Sequence, residues 1–342
     1  MIPEDLEALR YESDGALRLV PCLSFGLYHD GYEPEAMMEF VTAATELLRP
    51  YLTHVYTNTM RFPRKFDAKA EAVVPAWFAK PREYQPYLFA LWGDGAEGTS
   101  PAYFKFLFRY GAFNDPRLDT ATREKRRENW TKMYGSDKSG TYPYVSYFRL
   151  TIPLDHPLGA EGFRDFLLAR PVVANGNFAS GLAGLRLSVD RNAPRDGTSS
   201  EVIRRCRLAG VEHPGLDLDH TDRKLQAIDR WHAPSRDMVP HMVRANWLTF
   251  VSDRSAPLIG EIADVERRLT AFEGVRVVRC GGGMMVQAGD APIPGDGLGD
   301  PALAPYRHVA KVLRPMRLAP QDAIGKYVDE SVIEWFEDLD QP

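Results

Sequence analysis

Apolar and polar positions form their clearest pattern in the second half of the chain. Residues 242–251 are rich in β-branched and aromatic side chains, which predicts a strand. Over residues 256–272 the apolar side chains recur at spacings of three and four, which predicts a helix with one buried face. Two strand-like runs, 275–279 and 284–288, flank Gly281–Gly283, and glycines between such runs favour a hairpin turn. The pattern therefore predicts a strand–helix–hairpin scaffold.

A similar order of elements is predicted near the start of the chain. Residues 17–28 alternate loosely, as a strand does, and Pro34 stands where a helix over residues 36–48 can begin. Residues 52–60 and 87–92 have the composition of further strands. The shared order raises the hypothesis of a divergent internal duplication. We predict an α+β fold with two helix-backed, mainly antiparallel sheets in one continuous two-lobed body.

The chain has no repeat of solenoid period and no low-complexity linker. We expect an N-terminal α/β lobe over residues 1–160 and a C-terminal lobe over residues 161–320, followed by an acidic C-terminal helix over residues 321–342. The charged stretch over residues 115–138 interleaves both signs, which is typical of a solvated helix face.

Charge and composition narrow the classes of function. The formal net charge of −5 argues against a general nucleic-acid binder and is compatible with a basic protein partner. Three scattered cysteines, Cys22, Cys206 and Cys280, fit neither a disulfide framework nor a cysteine-rich zinc site. No apolar run approaches the length of about 20 residues that spans a bilayer, and the first residues do not resemble a signal peptide. We therefore expect a cytoplasmic protein.

One cluster could hold a metal ion. Four potential oxygen and nitrogen ligands fall within six positions: Asp217, Asp219, His220 and Asp222. The spacing of an EF-hand is absent, and aspartates commonly close turns by accepting bonds from nearby backbone N–H groups. We predict no metal site, and a metal-dependent hydrolase that uses this cluster is the alternative function.

No other set of residues predicts catalysis. The glycines at 281–283 lie between two strand-like runs, whereas a phosphate-binding loop leads into a helix N-terminus. No Gly-x-Ser-x-Gly or His-Glu-x-x-His motif occurs in the chain. The sequence therefore predicts a protein that is not an enzyme and that has no catalytic residues and no cofactor.

The end of the chain combines acidic and aromatic side chains. No basic residue occurs between Asp329 and Asp340. Acids interleaved with rings suit docking onto a basic groove, because charge steers the encounter and a buried ring anchors it. In the other interpretation the rings pack on the core and only the acids face water. The predicted partner-binding residues are Asp329, Glu330, Glu334, Trp335, Glu337 and Asp338.

Short motifs in a fixed order carry a resemblance to a known family. They are His213–Asp217, Asn246–Thr249, Gln287–Gly289 with Pro292, Gly295–Asp296, and Tyr306–Pro315 with Arg317. Together they resemble the type VI secretion immunity family, first catalogued as a domain of unknown function. The resemblance is sharp over residues 182–317 and weaker towards the N-terminus, and the tail after Leu318 lies outside it.

The resemblance implies a cytoplasmic antitoxin. Such proteins are encoded beside toxic effectors, several of which look like nucleases, and they protect the producing cell by binding and occluding the toxin. The partner implied is a cognate effector, with no direct nucleic-acid or membrane contact. The toxin, the interface and the oligomeric state stay open. The motif residues expected to be structural are Pro214, Gly215, Asn246, Trp247, Gly289, Pro292, Gly295 and Asp296.

Overall fold

The fold is described from a computed structural model of the chain. The described residues are 4–13, 15–29, 33–57, 60–72, 87–94, 99–108, 119–134, 146–189, 201, 204–205, 208–209, 212–213, 215–218, 242, 244–297 and 299–317.

Groups of strands are separated by single helices or pairs of helices along the described chain. The strands are β1 (Tyr11–Ser13), β2 (Ala16–His29), β3 (His54–Thr57), β4 (Arg64–Lys65), β5 (Tyr87–Trp92), β6 (Tyr103–Phe108), β7 (Ser146–Ile152), β8 (Phe178–Val189), β9 (Asp217–Leu218), β10 (Leu248–Ser252), β11 (Val275–Cys280) and β12 (Gly283–Ala288). The α-helices are α1 (Pro34–Leu48), α2 (Thr120–Tyr134), α3 (Gly159–Leu168), α4 (Pro171–Ala174), α5 (Ala256–Ile259), α6 (Ile262–Thr270) and α7 (Ala304–Leu313).

The strands join into one 12-stranded sheet. Its order is β11-β12-β10-β8-β2-β7-β6-β5-β3-β4, with β1 on β2 and β9 on β8. Every pairing is antiparallel except β8 with β9. The predicted α+β class with a mainly antiparallel sheet is confirmed.

The two separate sheets of the prediction are replaced by this single one. The reason is the length of β2, which pairs along one edge with β8 from Leu19 to His29 and along the other with β7 from Leu23 to His29. One long strand thus joins the N-terminal strands to the C-terminal ones. The lobes over residues 1–160 and 161–320 remain a proposed division, and the duplication remains a hypothesis.

Helix α1 covers one face of the sheet with aromatic packing. Pro34 stands in its first turn, where its fixed φ angle suits a helix start and its missing N–H is not needed. The ring of Phe40 lies 5.9 Å from Phe25, 5.7 Å from Phe104 and 5.3 Å from Phe148, each in an edge-to-face arrangement. Such pairs add roughly 0.5–1.5 kcal/mol each beyond the burial of apolar area. The predicted helix over residues 36–48 is confirmed.

The C-terminal scaffold departs from its prediction at two points. The single predicted helix over residues 256–272 is split into α5 and α6 at Gly260, whose φ of +90° ends the first piece. The predicted strand over residues 242–251 becomes regular only from Leu248. The hairpin of β11 and β12 is confirmed, with Gly281 at φ +47° in its turn.

Candidate functional site

Asn246 and Trp247 form the entry into β10. Asn246 Oδ1 accepts a hydrogen bond from the backbone N–H of Trp247 at 2.7 Å, and the N–H of Asn246 donates to Thr249 Oγ1 at 3.1 Å. The fully buried indole of Trp247 donates from Nε1 to the carbonyl of Gly289 at 3.3 Å. These bonds replace the ladder bonds of a longer strand, and they fix the angle at which the chain joins the sheet.

The turn over residues 289–296 packs against α7. The N–H of Ile293 donates to the Tyr306 hydroxyl at 3.2 Å, and burial raises the pKa of Tyr306, so its phenol stays neutral. Gly295 has φ +77°, and a Cβ there would lie 2.4 Å from Leu303 Cδ1. Asp296 donates from its backbone N–H to Asp300 Oδ2 at 2.9 Å.

A second motif segment is bonded onto this turn. The N–H of Gly215 donates to the Pro294 carbonyl at 2.6 Å, and a Cβ at residue 215 would lie 2.0 Å from the Ile293 carbonyl oxygen. His213 Nδ1 is 2.8 Å from the Gly295 carbonyl oxygen. Gly215, Asn246, Trp247 and Gly295 are buried. Their structural role, with other residues left to meet a partner, stays a prediction. Pro214 lies outside the described residues.

A polar strip crosses the sheet on the face opposite α1. Arg149 is 1% exposed; it donates to Ser188 Oγ at 2.9 Å and its guanidinium lies 5.2 Å from the ring centroid of Tyr103. Cys22 Sγ is 3.4 Å from Ser188 Oγ. Because Cys22 and Ser188 are fully buried, neither is placed to attack a substrate. The strip is an internal polar network that joins β6, β7, β2 and β8.

A carboxylate at the start of α1 is bound by three side chains from two other segments. Glu33 Oε2 lies 3.8 Å from His29 Nε2 and accepts from Asn175 Nδ2 at 3.0 Å, and Oε1 accepts from Asn177 Nδ2. The His29 imidazole is the largest cause that lowers the pKa of Glu33, to about 2; desolvation opposes it, and the two amides add to it. Glu33 is therefore ionised at neutral pH. It ties α1 to the loop before β8.

Pro292 is buried in the turn over residues 289–296. The side chains of the remaining predicted metal-ligating and partner-binding residues are outside the described part of the structure. This holds for Asp219, His220 and Asp222 and for the whole acidic tail, and Asp217 is described only through its backbone in β9. Within the described ranges, no group of three or more histidine, cysteine or acidic side chains could hold a metal ion. No described helix is long and apolar enough to cross a bilayer.

Sequence reasoning missed the Glu33 cluster. The sequence predicts a strand that ends near His29 and a helix that starts at Pro34, so a histidine and a carboxylate at the two ends of one short connection were visible. The two asparagines lie more than 140 positions away, and only the β2–β8 pairing brings them to Glu33. The spacing His29-x-x-x-Glu33 was the available signal.

Comparison with known proteins identifies the family. The family model described as "TsiV: Type VI immunity for VRR-NUC" matches residues 131–337, which is more than half of the chain. The chain belongs to this family. The resemblance drawn from the motifs is thereby confirmed, and the protein is a type VI immunity protein. The TsiV match also extends past Leu318 to residue 337, so it includes most of the acidic tail.

A solved structure shares the fold. The chain is similar to the Pseudomonas aeruginosa T6SS protein PA0821, with a TM-score of 0.66 and 17% sequence identity over 96% of this chain and 84% of that one. At this identity the likeness concerns the fold alone. No curated protein sequence matches the chain.

Proposed function

We propose that this TsiV protein protects its cell by binding a cognate nuclease effector, encoded nearby, and covering the effector's nucleic-acid cleft. The single observation that carries the proposal is the match to a family described as immunity for VRR-NUC over residues 131–337. Immunity by occlusion needs a surface and no chemistry of its own. We therefore propose that the protein is not an enzyme.

Charge gives this proposal a physical basis. A nuclease binds phosphates through a basic cleft, and a protein of net charge −5 is attracted to such a cleft. A standard interface of about 1,600 Å² of total buried surface would be enough to exclude a duplex. Electrostatic steering speeds the encounter, so association should slow as salt screens it.

The acidic tail is the proposed contact with that cleft. Its carboxylates would face the basic groove, and Trp335 would anchor them. The support is the density of acidic residues between Asp329 and Asp340, together with a family match that runs to residue 337. We propose that the complex forms in the cytoplasm, where the effector would meet the nucleic acid of the cell.

Co-expression tests the proposal directly. The product of the adjacent toxin gene should be toxic alone and harmless with this protein, and the two should co-purify at a fixed stoichiometry. The purified protein alone should cleave no nucleic acid. A neighbouring toxin that neither binds the protein nor loses its toxicity would overturn the proposal.

A further inference from the structure

The turn between β3 and β4 presents an exposed aromatic ring among basic side chains. Residues 60–66, here called the basic hairpin, contain Arg61, Phe62, Arg64 and Lys65. Phe62 is 65% exposed, the highest value among the large apolar side chains of the described residues. The guanidinium of Arg61 lies 5.2 Å from the centroid of its ring. All four side chains are exposed to solvent.

The C-terminal end of the basic hairpin is held in place by the fold. His54 pairs with Lys65 and Val55 with Arg64, and Val55 is buried in the core. The N–H of Phe66 donates to the Thr53 carbonyl at 2.8 Å, and the Phe66 ring packs against the core. Phe66 is thus packed against the core, whereas Phe62, four positions earlier, is exposed to solvent. Phe62 is therefore exposed in a segment that leads directly into a paired strand and a packed ring.

The charge of the basic hairpin is not balanced locally. Residues 60–66 contain three cations and no acid, in a chain whose net charge is −5. The next acid, Asp67, accepts a hydrogen bond from the Ala70 N–H at 2.8 Å. Over the described residues no ion pair engages Arg64 or Lys65. The basic hairpin is therefore positively charged, whereas the protein as a whole has a negative net charge.

A single exposed apolar side chain is ordinary on a protein surface. Here it coincides with two uncompensated cations and a terminal strand, since β4 is the last strand in the sheet order. Aromatic residues and arginine are the types enriched in interface cores. We propose that the basic hairpin is a docking surface for an acidic patch on the effector, with Phe62 as its anchor. The proposal rests on the proposed function and adds a contact separate from the acidic tail.

The geometry favours a folded protein partner. Arg61 stacked on Phe62 and Pro63 with its fixed φ angle reduce the freedom that the hairpin loses on binding. Arg64 and Lys65 would steer the encounter, and burial of the Phe62 ring would slow dissociation. Basic and aromatic side chains together also suit single-stranded nucleic acid. The net charge of −5 opposes that ligand, because a polyanion is repelled by the rest of the protein.

The test uses binding kinetics between the full-length protein and a catalytically inactive form of the adjacent effector. Phe62→Ala should raise the dissociation rate about tenfold or more. Arg64→Glu with Lys65→Glu should slow association about tenfold at low salt. Val278→Ala is the matched apolar control, because Val278 is 40% exposed on β11 at the other end of the sheet. Lys125→Glu with Lys311→Glu is the matched charge control, since both lysines are exposed on helices.

The controls should change each rate less than about threefold, and all variants should melt within a few degrees of the wild type. If wild-type protein binds the effector and the hairpin variants behave as the controls do, the docking assignment is overturned and the proposed function stands. Wild-type protein that binds no effector overturns both. A salt-sensitive affinity for a single-stranded oligonucleotide that only the hairpin variants lose, with effector binding unchanged, assigns the surface to nucleic acid and overturns the proposal.

Discussion

The side-chain oxygen of Asn246 lies against the backbone of Gly184 in β8, where a Cβ atom on residue 184 would be 2.3 Å from that oxygen. The same oxygen accepts the hydrogen bond from the N–H of Trp247. Because Gly184 has no side chain, Asn246 can accept the hydrogen bond from Trp247 at the start of β10. The motif residue Asn246 depends on a glycine 62 positions earlier.

This contact predicts a large effect for a small substitution. Gly184→Ala should lower the free energy of unfolding by about 2 kcal/mol, because the new methyl group must displace Asn246 and leave a buried N–H unsatisfied. Urea unfolding measures it. Gly299→Ala is the control, since a Cβ there meets nothing within 4 Å, and its effect should stay within about 0.5 kcal/mol. Equal effects of the two substitutions would contradict the assigned contact.

The lowered pKa of Glu33 predicts that part of the free energy of unfolding is lost in acid. Its pKa falls from 4.5 to about 2 on folding, so its contribution is fully present above about pH 4.5 and is lost as the pH falls towards 2. Glu33→Gln should remove on the order of 1 kcal/mol at neutral pH, a value reduced because the carboxylate is a quarter exposed and solvent screens it.

The difference between wild type and Glu33→Gln should shrink from about pH 7 to about pH 3, as measured by urea unfolding. Glu35→Gln, an exposed neighbour in the first turn of α1, is the matched control and should show little difference at either pH. A difference for Glu33→Gln that stays constant over this range would show that the carboxylate is not held in its charged form.

The proposed role of the acidic tail predicts that substitutions there affect effector binding much more than thermal stability. Replacing five of its acids with neutral amides should weaken effector binding about tenfold or more at low salt. The melting temperature should change little, because acids that are expected to face water add little to folding. Titration calorimetry at two salt concentrations measures it. Unchanged affinity would remove the tail from the interface. The acids are Asp329, Glu330, Glu334, Glu337 and Asp338.

The competing metal-dependent hydrolase makes the opposite prediction for the aspartate cluster. We expect that purified protein holds no stoichiometric metal ion and that a chelator shifts neither its melting temperature nor its affinity for the effector. Alanine variants of the cluster should still protect cells that express the toxin. Elemental analysis and the toxicity assay measure this. Bound metal together with loss of protection would favour the hydrolase. The cluster is Asp217, Asp219, His220 and Asp222.

Local periodicity predicted the elements that depend on near neighbours. Helix α1 and strands β11 and β12 lie within a few residues of their predicted bounds. The break between α5 and α6 was missed because the apolar spacing continues across Gly260. The glycine itself was the sequence signal for the break, and in the structure it has a positive φ. Strand β6 was missed although Tyr103–Phe108 is rich in aromatic residues.

Long-range pairing could not be read from the sequence. A single sequence shows which residues suit a strand, but it does not show which strands are neighbours in the sheet. The predicted two sheets became one because β2 pairs on both sides. For the same reason the Glu33 cluster and the contact of Asn246 with Gly184 required the structure, since each joins segments that are distant in the chain.

The double pairing of β2 limits how the molecule can be divided. The family-matched region begins at residue 131 and so contains β7 and β8, but the strand that lies between them ends at His29. Expressed by itself, that region would leave β7 without either neighbour, because β6 also lies before residue 131, and would leave one edge of β8 open. Open strand edges invite aggregation. An engineered minimal antitoxin must therefore retain β2 and β6, the strands on either side of β7, or supply substitutes for them.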